Sequence, residues 1–127
     1  MKDFIFDSHK QFTDEEVQKC IPIAKRMANL AILAREHGIL SLDEYILDSD
    51  SDFLKAGVTM ILSATQPIII NRVCSYAISS KGYTGADLLE RLLISEGLIM
   101  IANPDATAKD VAFILGAMLG EEYILEF

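Results

Sequence analysis

The sequence predicts an all-α fold, a compact array of about six helices joined by short turns and without a sheet. The chain has 127 residues, of which 51% are hydrophobic and only 8% aromatic, with no Trp. A core of Leu, Ile, Val, Ala and Met suits packed helices. Apolar residues recur at three- and four-residue spacing, and helix-capping residues and turn signals interrupt the pattern. Because no repeat or long linker occurs, we expect a single domain over residues 1–127.

The first predicted helix begins at a capping box. The hydroxyl of Thr13 can accept from the amide of Glu16, and acidic residues follow at the positive end of the helix dipole. Pro22 lacks an N–H and predicts that this segment divides into two helical pieces. Gly38 can adopt the left-handed conformation that ends a helix, so the second piece ends there.

Three further signals order the middle of the chain. Ser41 and Glu44 form a second capping-box pattern, which predicts a short helix close behind the first. The polar run 48–52 predicts a turn and the start of a helix that continues to about Ala64. Pro67 is suited to a first helical turn, so we favour a helix over a strand for the three isoleucines that follow it.

Two helices complete the predicted array. Gly82 closes the third long helix and Thr84 caps the next, which is apolar on more than one side and is therefore expected to be central. Residues 103–105 break the chain, and Thr107 caps a final helix that ends at Gly120. Four apolar residues of the tail are candidates for docking on the core: Tyr123, Ile124, Leu125 and Phe127.

Net charge excludes some classes of partner. The chain has 11 basic and 19 acidic side chains, for a net charge of −8. Scattered basic residues do not predict binding to nucleic acid or to an anionic membrane surface. The stretch 41–52 contains no Lys or Arg. One interpretation is that it favours a basic partner, and the other is that it is a solvent-exposed helix end with its loop. Its acidic residues are Asp43, Glu44, Asp48, Asp50 and Asp52.

The residue types that carry catalysis or bind metals are isolated in this sequence. Cys20 and Cys74 have no CxxC spacing, and two solitary histidines predict neither a zinc site nor a disulfide framework. Phosphate loops, HExxH and EF-hand patterns are absent, so we expect no cofactor, no metal and no enzymatic activity. The alternative from the enzyme class is a thiol hydrolase that uses Cys74 and His37. We expect a cytoplasmic chain, since no signal peptide or run of about 20 apolar residues is present.

One segment resembles a known family. Residues 35–44 (REHGILSLDE), preceded by 30–34 (LAILA), are similar to the end of the A-R-x-x-G-h-h-x-L-E element in the cytoplasmic part of MotA, the stator subunit of the bacterial flagellar motor. Residues 53–58 (FLKAGV) resemble the FLKxG segment of that family, and residues 65–67 (TQP) stand in place of its TDP turn.

The resemblance continues into the second half and covers about residues 23–120. Residues 89–98 (LERLLISEGL), followed by an Asn-Pro pair, are similar to the tail that follows the last membrane helix of the family. The membrane helices of the family are missing, and residues 79–84 form a short polar turn in their place. The resemblance therefore implies a cytoplasmic protein-interaction domain without the ion path.

The resemblance also implies binding residues and a partner. In the family, an Arg and an acid near this corner face charged residues of the flagellar rotor protein FliG. By position those roles fall on Arg35 and Asp43, with Glu44 as the neighbouring candidate. The competing interpretation is that these charges only stabilise helix ends, each by about 0.3–1 kcal/mol. The alternative function is a structural helical domain that self-associates through apolar surface, including Phe127, and has no motor role.

Overall fold

The computed structural model describes residues 12–127, and every regular element in that range is helical, which confirms the predicted all-α array. Five α-helices and two 3₁₀ helices follow one another in chain order. They are α1 (Asp14–His37), the first 3₁₀ helix (Ile39–Tyr45), α2 (Asp52–Leu62), α3 (Pro67–Lys81), α4 (Gly85–Ala102), α5 (Ala108–Leu119) and the second 3₁₀ helix (Glu121–Tyr123). Within residues 12–127, no helix is both long and apolar enough to cross a membrane.

Helix α4 lies at the centre of the array, as its broad apolar surface predicts. It packs against α1, α2, α3 and α5, and half of its 18 residues are buried. Small side chains allow close approach: a Cβ on Gly97 of α4 would overlap the side chain of Met27 in α1. The contact between α1 and α4 therefore forms the middle of the core.

The prediction that Pro22 divides the first helix is wrong. Helix α1 is continuous over 24 residues, with Pro22 inside it. Buried side chains lie on both sides of the proline, Val17 and Cys20 before it and Ala24 and Met27 after it. Pro22 itself is exposed, so its ring lies on the solvent side of the helix. Burial of the two flanking segments outweighs the cost of one missing backbone hydrogen bond.

Local signals at the other helix ends are mostly confirmed. Thr13 and Thr107 each form a capping box with the residue three positions ahead. Ser51 accepts from the amide of Leu54 and begins α2, and Pro67 occupies the first turn of α3. Thr84 stands at the predicted N-cap of α4, but its side chain makes no capping hydrogen bond.

The C-terminal tail docks on the core through two of the four predicted residues. Tyr123 and Phe127 pack against the core, and the hydroxyl of Tyr123 accepts a 3.0 Å hydrogen bond from Gln18 of α1. Ile124 and Leu125 are exposed. Phe127 is thus partly buried within the chain, which weakens it as the source of an apolar surface for self-association.

Candidate functional site

The corner between α1 and the first 3₁₀ helix holds the predicted site residues. Gly38 has φ 90° and ψ 154°, a positive φ that favours glycine, though outside the left-handed helical region expected from the sequence. Its N–H donates to the carbonyl of Ala34 at 2.9 Å, which ends α1. Leu42 is fully buried and fixes the short helix to the core.

The predicted helix at Ser41 differs from the observed one. The structure has a 3₁₀ helix that begins at Ile39, so Ser41 lies inside it instead of capping it. The hydroxyl of Ser41 donates to the carbonyl of Gly38 at 2.6 Å. Because only one turn separates Gly38 from the buried Leu42, the tighter 3₁₀ geometry fits the available length.

Asp43 and Glu44 are both exposed on the 3₁₀ helix. Within residues 12–127, no hydrogen bond or ion pair engages either carboxylate. Both carboxylates are therefore accessible to solvent or to a cationic surface, on a backbone that the buried Leu42 packs against the core.

Arg35 is engaged within the fold. Its guanidinium donates to four carbonyl oxygens at the end of α4 and in the loop that follows, at distances of 2.7–3.1 Å. The acceptors belong to Met100, Ile101, Asn103 and Ala106. An Arg side chain has five N–H donors, so these bonds leave one for any other partner.

The carbonyl groups at the C-terminus of α4 explain why Arg35 adopts this arrangement. The last carbonyls of a helix have no partner within the helix, and they carry partial negative charge. The last turn of α4 contains no basic residue of its own, so Arg35 of α1 supplies the cation. Sequence reasoning missed this role, and its only signal was a helix end without a basic side chain.

An internal ion pair engages Asp50, one of the residues of the acidic stretch that the sequence predicted to favour a basic partner. Arg26 of α1 donates to both carboxylate oxygens of Asp50, at 3.0 and 2.7 Å, and to the carbonyl of Tyr45 at 2.7 Å. The Asp50 side chain is only 7% exposed. The hydrogen bonds from Arg26 hold the pKa of Asp50 below its usual value, although burial opposes that shift. Asp50 thus fixes the loop before α2.

The acidic side chains that remain exposed define what we call the acidic corner. Its members are Asp43, Glu44, Asp48 and Asp52. They lie on the 3₁₀ helix, on the loop that follows and at the start of α2, and these two helices contact one another. Besides Arg26, Lys55 lies near these residues and donates to the backbone carbonyl of Asp48 at 3.2 Å. Such a corner can attract a cationic protein surface.

The two thiols are buried within the helices. Burial raises the pKa of Cys20 to about 11, with nearby acidic residues adding to the shift. Burial also raises the pKa of Cys74, and a hydrogen bond with Ser95 partly opposes this. A raised pKa disfavours the thiolate that a nucleophile needs. His37 lies at the exposed end of α1, and its contacts are with Glu36 and Tyr45 rather than with Cys74.

In the described part of the chain, no group of three or more His, Cys, Asp or Glu side chains could hold a metal ion. No family model matches the chain, and comparisons with curated proteins and with solved structures find no match. The resemblance of residues 23–120 to the MotA family therefore depends on the order and spacing of the short motifs alone.

Proposed function

We propose that this chain is a non-enzymatic, cytoplasmic protein-interaction domain that works as the rotor-facing part of a stator-like assembly. In this proposal the acidic corner docks on a cationic surface of the partner, for which the flagellar rotor protein FliG is the candidate. The motif order across residues 23–120 supports the identity of the partner, and the geometry of the corner supports the mode of docking.

The observation that carries the proposal is that Asp43 and Glu44 are exposed and have no hydrogen bond or ion pair among residues 12–127. Buried Leu42 packs their helix on the core, and Arg26 donates to the carbonyl of Tyr45 at the end of that helix and to Asp50 in the following loop. A fixed backbone lowers the entropy that binding must remove, so the charges are presented in a defined geometry. Exposed charges of this kind govern association rate and specificity more than the stability of the fold.

Arg35 enters the proposal in two ways. The direct contact of Arg35 with the partner stays a prediction. Its bonds within residues 12–127 use four of the five N–H donors, so one N–H could make that contact. Its four bonds to the end of α4 also make it a positioning residue for the corner, since α1 leads directly into the 3₁₀ helix. A variant of Arg35 is therefore expected to alter stability as well as binding.

The test is the affinity of the purified chain for FliG. We expect the double variant Asp43→Lys/Glu44→Lys to bind at least about tenfold more weakly than wild type at low salt, because charge reversal turns attraction into repulsion. Glu126→Lys is a control for charge reversal, since Glu126 is exposed near the C-terminus and no hydrogen bond within the described residues engages its side chain.

Circular dichroism should be the same for the double variant, the control and wild type, because all three positions are exposed. If wild type does not bind FliG, the motor role is wrong. The double variant changes the net charge by four units and Glu126→Lys by two. If Glu126→Lys therefore loses half as much binding free energy as the double variant, net charge and not the acidic corner governs the interaction.

A further inference from the structure

Helix α3 presents large apolar side chains to solvent, with one cation among them. We call this surface the outer α3 face, and its apolar members are 45–68% exposed: Ile68, Ile69, Val73 and Tyr76. At about 100° per residue, the exposed Arg72 lies between Ile68 and Tyr76 on the same face. Among residues 12–127, no hydrogen bond or ion pair engages its guanidinium. The outer α3 face therefore suits an occupant that combines apolar side chains with a carboxylate.

The charge around this face differs from that around the other exposed apolar residues. Residues 53–86 contain no Asp or Glu, and their basic residues are Lys55, Arg72 and Lys81. In the part of the chain that the structure describes, every exposed large apolar residue outside α3 has an acidic residue within four positions in the sequence. Phe113, for example, follows Asp110 by three residues. An acidic apolar segment is therefore attracted to the outer α3 face and repelled elsewhere.

A segment of matching chemistry precedes the described residues. Residues 3–7 read Asp-Phe-Ile-Phe-Asp, so three large apolar side chains stand between two acids, with no base among them. Its apolar residues match the apolar side chains of the outer α3 face, and either aspartate can pair with Arg72. The sequence of this segment is thus complementary to the face in both charge and hydropathy.

The length of chain before Phe12 allows the two to meet. Phe12 packs against a cluster that includes Ile78, in the last turn of α3. Arg72 lies six residues before Ile78, about 9 Å along the helix axis, and crossing to the outer side of the helix adds about 10 Å. Residues 4–6 precede Phe12 by six to eight residues, which span at most about 20–27 Å. They can therefore reach the outer α3 face over most of its length.

We propose that residues 3–7 of this chain bind its own outer α3 face, with Phe4, Ile5 and Phe6 on the apolar side chains and a flanking aspartate on Arg72. Binding within one chain does not immobilise a second molecule, so a small apolar area is sufficient for the contact. The pair between Arg72 and a carboxylate fixes the position of the segment along the helix. The outer α3 face is then an intramolecular binding surface.

The test is the rate of disulfide formation within the full chain that carries Ile5→Cys and Ile69→Cys, in oxidised glutathione. Both native thiols are buried, so the two introduced thiols react first. We expect this pair to form at least about tenfold faster than Ile5→Cys with Lys25→Cys, because binding raises the effective concentration of the thiols. Lys25 is exposed and lies about 17 Å along α1 from its first residue, so an unbound segment would reach both positions alike.

Charge variants of the Ile5→Cys/Ile69→Cys chain test the ion pair. Arg72→Glu should slow disulfide formation severalfold, and adding Asp3→Arg/Asp7→Arg should restore the rate, because the charges of both partners are then exchanged. Lys109→Glu is the matched control, since Lys109 is exposed on α5 and its reversal changes the net charge equally. It should leave the rate unchanged.

Circular dichroism checks that the variants keep the helical fold. If Arg72→Glu loses helix, Arg72→Gln removes only the charge and should also slow the reaction. Equal rates for the chains with Ile69→Cys and Lys25→Cys, or a rate that neither Arg72 variant lowers, would overturn the proposal. A disulfide that joins two chains would assign the outer α3 face to a second copy and would also overturn it.

Discussion

Replacing Arg35 with Ala removes the guanidinium that donates to four carbonyl oxygens at the end of α4. Ile101 and Ala106 are buried residues, so water has little access to their carbonyls once the side chain is gone. Each buried acceptor left unpaired costs about 1–3 kcal/mol. The carbonyls of Met100 and Asn103 belong to half-exposed residues and can be hydrated. We therefore expect the free energy of unfolding to fall by about 3 kcal/mol.

Urea denaturation followed by circular dichroism measures this change, and thermal unfolding should show a fall in melting temperature of roughly 10 °C. Arg35→Lys should give an intermediate loss, because one ammonium group can replace only part of the planar donor set. Lys25→Ala is the control, since Lys25 is exposed on the same helix. A loss for Arg35→Ala no greater than that for Lys25→Ala would refute the structural role of Arg35.

Three other predictions follow from buried groups. Asp50→Asn should lower the free energy of unfolding most at neutral pH. Because Arg26 holds the folded pKa of Asp50 below 3.8, its contribution is complete above that value and declines as pH falls through the lowered folded pKa. Urea titrations of wild type and variant should therefore converge in acid, and a constant difference would contradict this reasoning. Both thiols should resist a disulfide reagent at pH 8 in the native chain and react in denaturant, since burial raises the pKa of Cys20 to about 11 and also that of the second thiol. Rapid native labelling would count against this and would restore the thiol hydrolase alternative. Gly116→Ala should displace the C-terminal tail, because the new Cβ would overlap the carbonyl oxygen of Tyr123. Faster proteolysis of the tail would show this, and an unchanged cleavage rate would contradict it.

Much of the fold could be predicted from the sequence because the signals at the helix ends are local. A capping hydroxyl such as Thr107 and its partner lie three residues apart, and Pro67 restricts its own φ angle. Pro22 shows the limit of this reasoning. A proline removes one backbone hydrogen bond from a helix, but the burial on both sides that outweighs this loss depends on distant helices.

The candidate site was less predictable for the same reason. Asp43 and Glu44 are exposed at a helix corner, which the charge pattern indicated. Arg35 and its acceptors are 65 to 71 residues apart in the sequence, and Arg26 and Asp50 are 24 apart. No local pattern distinguishes a basic residue that binds a distant helix end from one that faces solvent.

The most direct test of the proposed docking is the salt dependence of affinity for FliG, measured by calorimetric titration at about 50 mM and about 300 mM salt. If the acidic corner docks on a cationic surface, wild-type affinity falls steeply with salt, and the Asp43→Lys/Glu44→Lys variant binds weakly at both concentrations. An affinity that is independent of salt, or equal for wild type and the double variant, would contradict the proposal that these two carboxylates carry the interaction.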